Sequence, residues 1–516
     1  MIKILDCTLR DGGYINHFAF GANAAKCIVK GIAEAGVEYI EAGFLRNSKK
    51  NTETTVYTSV EEADSLLPKD STSRKIFLMI VYGQYDIDRL PDKSECRIDG
   101  IRVTFKKDEI DEALEYISKV QEKGYMVSAN PTGVHAYSDR EFLDLLEKVN
   151  KYVPDIFALV DTLGLLKRTE LLRLFYLVEN NLDSNIALAF HAHNNLQMAF
   201  AHAQTLIAAG MKRELIIDTS LRGMGRGAGN LCTELLLQYM NDAYDKRYNL
   251  LPILSAIDEQ INKIYAESPW GYSLPYYLAA SLQCHPNYAT FLTDKVTLSI
   301  TDISAILSTV PNEKKSVYDK ELIQNLYLTY QKNKIDDEET IEKLRKQIGT
   351  REVLLLGPGK TMYTERECIY EYIKENSPCI ISINYRPHYI KPDWVFVSNL
   401  RRFDELADRT DAVITSNIKD GTLPKLNYGS YLNESEYSDN ALLMLLKVLI
   451  KIGVKSVNCA GLDGFSTPGA SYYQASVNNH TYICEEDRMN EEISAVLRKL
   501  NKQIDIHFIT TTLYKL

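Results

Sequence analysis

Two short stretches of this 516-residue chain carry residue types that can do chemistry. The first is HAHNN at 191–195. Residues i and i+2 of a strand project from one side, so His191 and His193 can turn both imidazoles toward a single ion while Ala192 faces away. An HxH pair by itself also fits a core or an exposed edge. An aspartate at the mouth of a neighbouring strand strengthens the metal reading. One carboxylate with two neutral imidazoles leaves positions for substrate oxygens and water, which suits an open catalytic site for Mn²⁺ or Mg²⁺, or for Co²⁺ or Zn²⁺. The second stretch is LRDGG at 9–13, where a short apolar strand runs into Arg10 and Asp11 and then two glycines. Taken alone it reads as a strand closing in a tight turn.

The elements around these residues follow a regular alternation. Apolar runs occur at 2–9, 39–44, 75–82, 100–105, 126–131, 156–161, 186–193 and 215–221. Each is short and nearly continuous in apolar or β-branched residues, as strands buried on both faces of a parallel sheet are. Amphipathic stretches such as ANAAKCIVKGIAEAG and EIDEALEYISKVQEKG lie between them, with glycine just past their ends. Eight strand-then-helix units predict a (β/α)₈ barrel over 1–250, whose active site lies at the C-terminal ends of the strands. The polar residues collect there: Arg10 and Asp11, Glu41 and Arg46, Asn130, Asp161 and Thr162, His191 and His193, Thr219 and Arg222.

DCTLRDG, HAHNN and the later GMGRGAGNL together resemble the barrel metallolyase and aldolase superfamily, which includes 4-hydroxy-2-oxovalerate aldolase, hydroxymethylglutaryl-CoA lyase and the isopropylmalate and homocitrate synthases. The resemblance covers about the first 240 residues. It implies that Asp11, His191 and His193 hold a divalent metal, that Asn230 is a further ligand or near-ligand, and that Arg10 stabilises an enolate oxygen. A 2-oxo acid chelating the ion would have its carbonyl polarised while the guanidinium takes up the developing charge. Gly12 and Gly13 are expected to leave space for substrate. In the family's aldolases a histidine three residues after the metal aspartate acts as base. This chain has Tyr14 there, so Tyr14 is either the acid–base group or a pocket wall, with His17, His135 and Glu41 in reserve. Glu41, Asp161, Thr162 and Arg222 are expected on the substrate side, Glu41 alternatively orienting Arg10 and Asp161 alternatively capping a helix.

The LRDGxQ form that accompanies acyl-CoA chemistry in the relatives is missing. The expected reaction is therefore aldol addition or cleavage between a pyruvate-type enolate and an aldehyde, with sugar-acid or surface-polysaccharide biosynthesis as a context. The alternatives are a Claisen-type synthase joining an acyl-CoA to a 2-oxo acid, and a catalytically inactive scaffold barrel.

Residues 251–348 read as a helical accessory region, with the charged run KNKIDDEETIEKLRKQ as a surface helix or linker, and a homo-oligomer interface is one reading of WGYSLPYYLAA. A fresh α/β series over 349–516 predicts a Rossmann-like domain. Its LLLGPGKT resembles a phosphate loop, although Leu354 and Met362 stand where the two common fingerprints need glycine. A nucleotide or nucleotide sugar is the ligand expected there. The net charge of −10 argues against nucleic acid, no apolar run reaches membrane-span length, and nine scattered cysteines fit reduced thiols in the cytoplasm.

Overall fold

A computed structural model describes the chain except for residues 48–52, 66, 68–73, 296–297, 332–334, 434–438 and 467–485. It divides into two compact units, one of residues 1–290 with 310–318, the other of 291–309 with 319–516. Among the described residues no helix is long and apolar enough to cross a membrane, and the cysteines are free.

The first unit is an eight-stranded parallel TIM barrel. Its strands are β1 (Ile2–Asp6), β2 (Tyr39–Leu45), β4 (Lys75–Val81), β5 (Gly100–Phe105), β6 (Met126–Pro131), β7 (Ile156–Asp161), β8 (Ala187–Ala192) and β9 (Leu215–Thr219), with the two-residue β3 (Val56–Tyr57) added beside β2. Pairing of β1 with both β2 and β9 closes the ring. Successive strand residues alternate between two apolar layers. Ile4, Ile40, Ile76, Ile101, Leu188 and Ile217 join the core under the outer helices. Leu5, Tyr39, Phe77, Ile156, Ala158, Ala189 and Ile216 fill the interior.

This alternation decides which polar residues reach the barrel axis. Glu41, Arg102, Asn130, His191 and Asp218 are in phase with the interior set; Asp161 is not. β2 changes phase once. Its pairing with β4 runs from Glu41–Phe77 to Phe44–Met79, so three residues on β2 match two on β4. This bulge turns Phe44 and Arg46 inward in place of Gly43 and Leu45. Gly43 sits at φ 147°, and a Cβ there would lie 2.1 Å from the Thr55 carbonyl oxygen.

In the outer layer His202 is 1% exposed, its ring centroid is 6.4 Å from that of Phe190, and its Nε2 has no hydrogen-bond partner. Burial pushes its pKa down to about 4. Between pH 6.5 and 4 the unfolded imidazole takes a proton that the folded one refuses, so stability falls as pH falls through that window, by about 1.4 kcal/mol per unit for this group. Urea unfolding at pH 6.5 and 4.5 should show a loss about 2–3 kcal/mol smaller in His202→Leu than in the unsubstituted protein.

The helices after residue 250 fall in both units. Leu251–Ala256, Asn262–Glu267 and Leu274–Ser281 belong to the first, and Ile300–Ser308, Lys320–Gln331 and Glu338–Ile348 to the second. Of the charged run read as a surface helix or linker, residues 332–334 lie outside the described residues and the part from Glu338 on is helical, with Ile341, Leu344 and Ile348 burying one edge of that helix in the second unit's core.

That unit holds a seven-stranded parallel sheet of β10 (Val353–Leu356), β11 (Cys379–Ile383), β12 (Trp394–Val397), β13 (Ala412–Thr415), β14 (Lys425–Leu426), β15 (Ser456–Ala460) and β16 (Asp505–Phe508). The order is β14-β13-β12-β11-β10-β15-β16, so chain direction across the sheet reverses between β10 and β15. The GPGK turn follows β10 there. Its backbone donors are already engaged: Gly357 and Gly359 donate to Ala460 and Gly461, and Thr361 donates through both N–H and hydroxyl to Asp463. A carboxylate thus stands where a phosphate would bind. The phosphate-loop expectation fails for that reason, and nothing in the turn supports the nucleotide expected from it.

Candidate active site

β1 ends in a turn in which the Arg10 and Asp11 N–H groups both donate to the Cys7 carbonyl, which lifts the two side chains to the barrel mouth. The glycines after them serve packing. A Cβ on Gly13 would lie 2.1 Å from the Phe18 ring and one on Gly12 would lie 3.0 Å from the Met224 side chain. They admit a phenylalanine and a methionine; the expectation that they leave space for substrate is corrected on that ground.

One ligand atom from each of Asp11, His191 and His193 lies within 4.8 Å of the others, and all three residues are buried. Three features fit this group to a cation. The His191 Nδ1 pairs with Asp218 Oδ2 at 3.0 Å, which leaves Nε2 as the atom to offer. His193 Nδ1 and Asn230 Oδ1 are buried with no hydrogen-bond partner. Burial also pushes the His193 pKa down to about 3, so its imidazole is neutral and its lone pair free. Burial alone would raise the Asp11 carboxyl, but the Arg10 guanidinium, with a hydrogen bond from Asn230, holds it below the usual carboxylate range. Asn230 acts on Asp11 directly, donating from Nδ2 to Oδ2 at 2.8 Å.

Beneath this group runs a buried ion network. Arg10 donates from Nε to Glu41 Oε2 at 2.7 Å and from Nη1 to Asp11 Oδ1 at 2.6 Å. Arg102 donates from Nη1 to the same Glu41 oxygen at 3.2 Å and from Nη2 to Asp218 Oδ2 at 2.6 Å. Burial would raise the Asp218 carboxyl, and Arg102 with His191 overcomes it. Three carboxylates against two guanidiniums leave one formal negative charge before the imidazoles are counted. A divalent ion would reverse that sign and prepare the site for an anion.

The site opens into a cavity of about 420 Å³, walled among others by Arg10, Asp11, Tyr14, His191 and His193. The HMGL-like family model matches residues 1–259, half of the chain. The chain belongs to the HMGL-like family. That family is the barrel metallolyase and aldolase superfamily expected from the motifs. Among curated relatives, 4-hydroxy-2-oxovalerate aldolase from Geobacillus genomosp. 3 is 28% identical over 46% of this chain and 70% of its own length. The enzyme of the same name from Moorella thermoacetica is 27% identical over 46% of this chain and 69% of its own. The solved HMG-CoA lyase of Bacillus subtilis aligns at 18% identity and a TM-score of 0.42, over 51% of this chain and 93% of that one.

Within this HMGL-like barrel the remaining expected residues divide by orientation. Tyr14 and Thr162 line the cavity. Glu41 is fully buried below it and holds Arg10 and Arg102. Asp161 is turned out of the barrel, where it accepts the N–H groups of Leu165 and Leu166 and burial pushes its pKa up to about 7. Arg222, at φ 54°, lies 3.6 Å from the Tyr265 ring centroid and donates to Asn262, away from the cavity. His17 and His135 do not line it either.

Sequence reasoning passed over Arg102 and Asp218, although a signal existed. Each is the one charged residue inside an otherwise apolar strand, GIRVTF or LIIDT, and each is in phase with the inward side chains.

Proposed function

We propose that the barrel is a divalent-metal-dependent aldolase that makes or breaks a carbon–carbon bond between a pyruvate-type enolate and an aldehyde. The observation that carries this reading is the buried Asp11–His191–His193 group beside the Arg10 guanidinium, which lines the same cavity and whose Nη2 has no hydrogen-bond partner among the described residues. The relatives named 4-hydroxy-2-oxovalerate aldolase support it.

Asp11, His191 and His193 would hold the ion, Mn²⁺ or Mg²⁺ first and Co²⁺ or Zn²⁺ next, with Asn230 fixing Asp11 and facing the same space. When bound, the ion would polarise the keto group of a chelated 2-oxo acid. Arg10 donates to the oxygen on which negative charge builds, and its bonds to Glu41 and Asp11 fix its orientation beforehand. Tyr14, one of several hydroxyl-bearing side chains lining the cavity, is the group that would exchange a proton with the reacting oxygen or carbon. Thr162 borders the substrate space, while Glu41 acts through Arg10. Asp161 and Arg222 support the loops around the mouth.

We read residues 1–250 as the barrel domain, 251–348 as a helical accessory region and 349–516 as a Rossmann-like α/β domain.

The test is exchange of pyruvate methyl protons for deuterium, followed by proton NMR. Exchange is expected with added Mn²⁺ or Mg²⁺ and is expected to vanish in Asp11→Asn and in His191→Ala. Metal binding without exchange would favour the acyl-CoA synthase reading, and failure to bind metal would favour a scaffold.

A further inference from the structure

The cavity holds more positive charge than the aldol step consumes. Arg46 and Arg226 both line it, and both lie against one aromatic cluster. The Arg46 guanidinium carbon is 4.4 Å from the Phe44 ring centroid, that of Arg226 is 4.1 Å from the Tyr14 centroid, and the two rings are 6.2 Å apart. Stacking fixes a guanidinium by its face and leaves its donor edge free. Among the described residues neither guanidinium pairs with a carboxylate, and Arg46 Nε is buried without a hydrogen-bond partner. With Arg10 and Asp11 set aside as a pair, Lys106 adds a third cation to the wall, against the one remaining carboxylate, Glu109, which already accepts the Lys106 backbone N–H.

An unpartnered buried donor is costly, and an anionic ligand recovers that cost. The Arg10–Asp11 end is internally paired, so this surplus marks a separate subsite of the same cavity. Three cations facing one carboxylate suit a dianion better than a neutral two-carbon aldehyde.

We propose that the acceptor aldehyde carries a phosphate monoester, which Arg46 and Arg226 bind with help from Lys106. This rests on the aldolase reading of the barrel. In the addition, the pyruvate methyl group loses one proton and the electron pair released forms the new carbon–carbon bond. The aldehyde oxygen gains one proton. The product is the sum of the two reactants, a phosphorylated 4-hydroxy-2-oxo acid, and no phosphorus–oxygen bond changes.

Glycerol 3-phosphate, which has no carbonyl to react, probes the subsite in calorimetric titrations of the full chain with Mn²⁺ present. It is expected to bind where glycerol does not, about tenfold or more weakly in Arg46→Gln and Arg226→Gln, with part of the loss restored in Arg46→Lys. Circular dichroism and thermal unfolding of each variant identify any loss that comes from misfolding. Saturating pyruvate is expected to leave the binding in place. Equal binding by both glutamine variants, equal binding of glycerol, or tighter binding of glycerate would overturn the proposal. So would displacement by pyruvate, which would assign the arginines to the pyruvate carboxylate. Pyruvate exchange without glycerol 3-phosphate binding removes this subsite alone; binding without exchange removes the aldolase reading and with it the acceptor aldehyde, and leaves only a phosphate-ester subsite.

Discussion

Arg10→Lys is expected to slow metal-dependent pyruvate exchange by about 10²–10³-fold, the usual effect of removing one donor to a developing oxyanion. Arg10 makes three uses of one planar group. Nε is spent on Glu41, Nη1 on Asp11, and Nη2 is left for the cavity. A lysine ammonium keeps the charge but not the fork, so it cannot serve both carboxylates and the substrate from one position. Mn²⁺ affinity, measured by calorimetry, should change far less than the exchange rate, because the three ligand side chains remain. A variant that exchanges at the unsubstituted rate would exclude Arg10 from the charge-bearing step.

Arg102→Met should cost about 3–5 kcal/mol of stability in urea unfolding, as expected when one partner of a buried ion pair is removed. Arg102 is 1% exposed and, among the described residues, is the only guanidinium on Asp218. Glu41 would retain Arg10, but among the described residues Asp218 would keep only the His191 Nδ1 contact. Burial would then drive its carboxyl upward, and the His191 Nδ1 contact that aims the ring would weaken. The same variant should therefore bind Mn²⁺ about 10–100-fold more weakly, as is usual when the group orienting a metal-binding histidine is lost. Adding Asp218→Asn to Arg102→Met should restore part of the stability while metal binding stays poor. A loss below about 1 kcal/mol for the single variant would show that the network is open to water.

The barrel was legible because strands buried on both faces leave nearly unbroken apolar runs, and the eight expected runs coincide with the eight strands to within a few residues. The two-residue β3 and β14 were not, since so short a segment has no periodicity to read. His191 and His193 were legible because the i, i+2 spacing matches the pleat. The same pleat explains the misreading of Asp161, which lies one residue out of phase with the inward Val160 and Thr162. Arg222 was misread for another reason: its left-handed backbone and the Tyr265 ring turn it away, and neither follows from its place after β9. Phase also contained what was overlooked, for Arg102 and Asp218 are charged residues on the interior side of apolar strands. The bulge in β2 had no such signal, because one added residue looks like any other until the neighbouring strand is known.

That added residue has a consequence for how the enzyme can diversify. Below it β2 supplies Glu41 to the machinery that handles the bond; above it the same strand supplies Phe44 and Arg46 to the entrance. A change at Arg46 can therefore alter which molecules are accepted while the parts that break and make bonds keep their alignment. On the proposed reading, the segment before the bulge orients Arg10 and the segment after it meets the acceptor, so libraries aimed at new aldehydes belong on the latter.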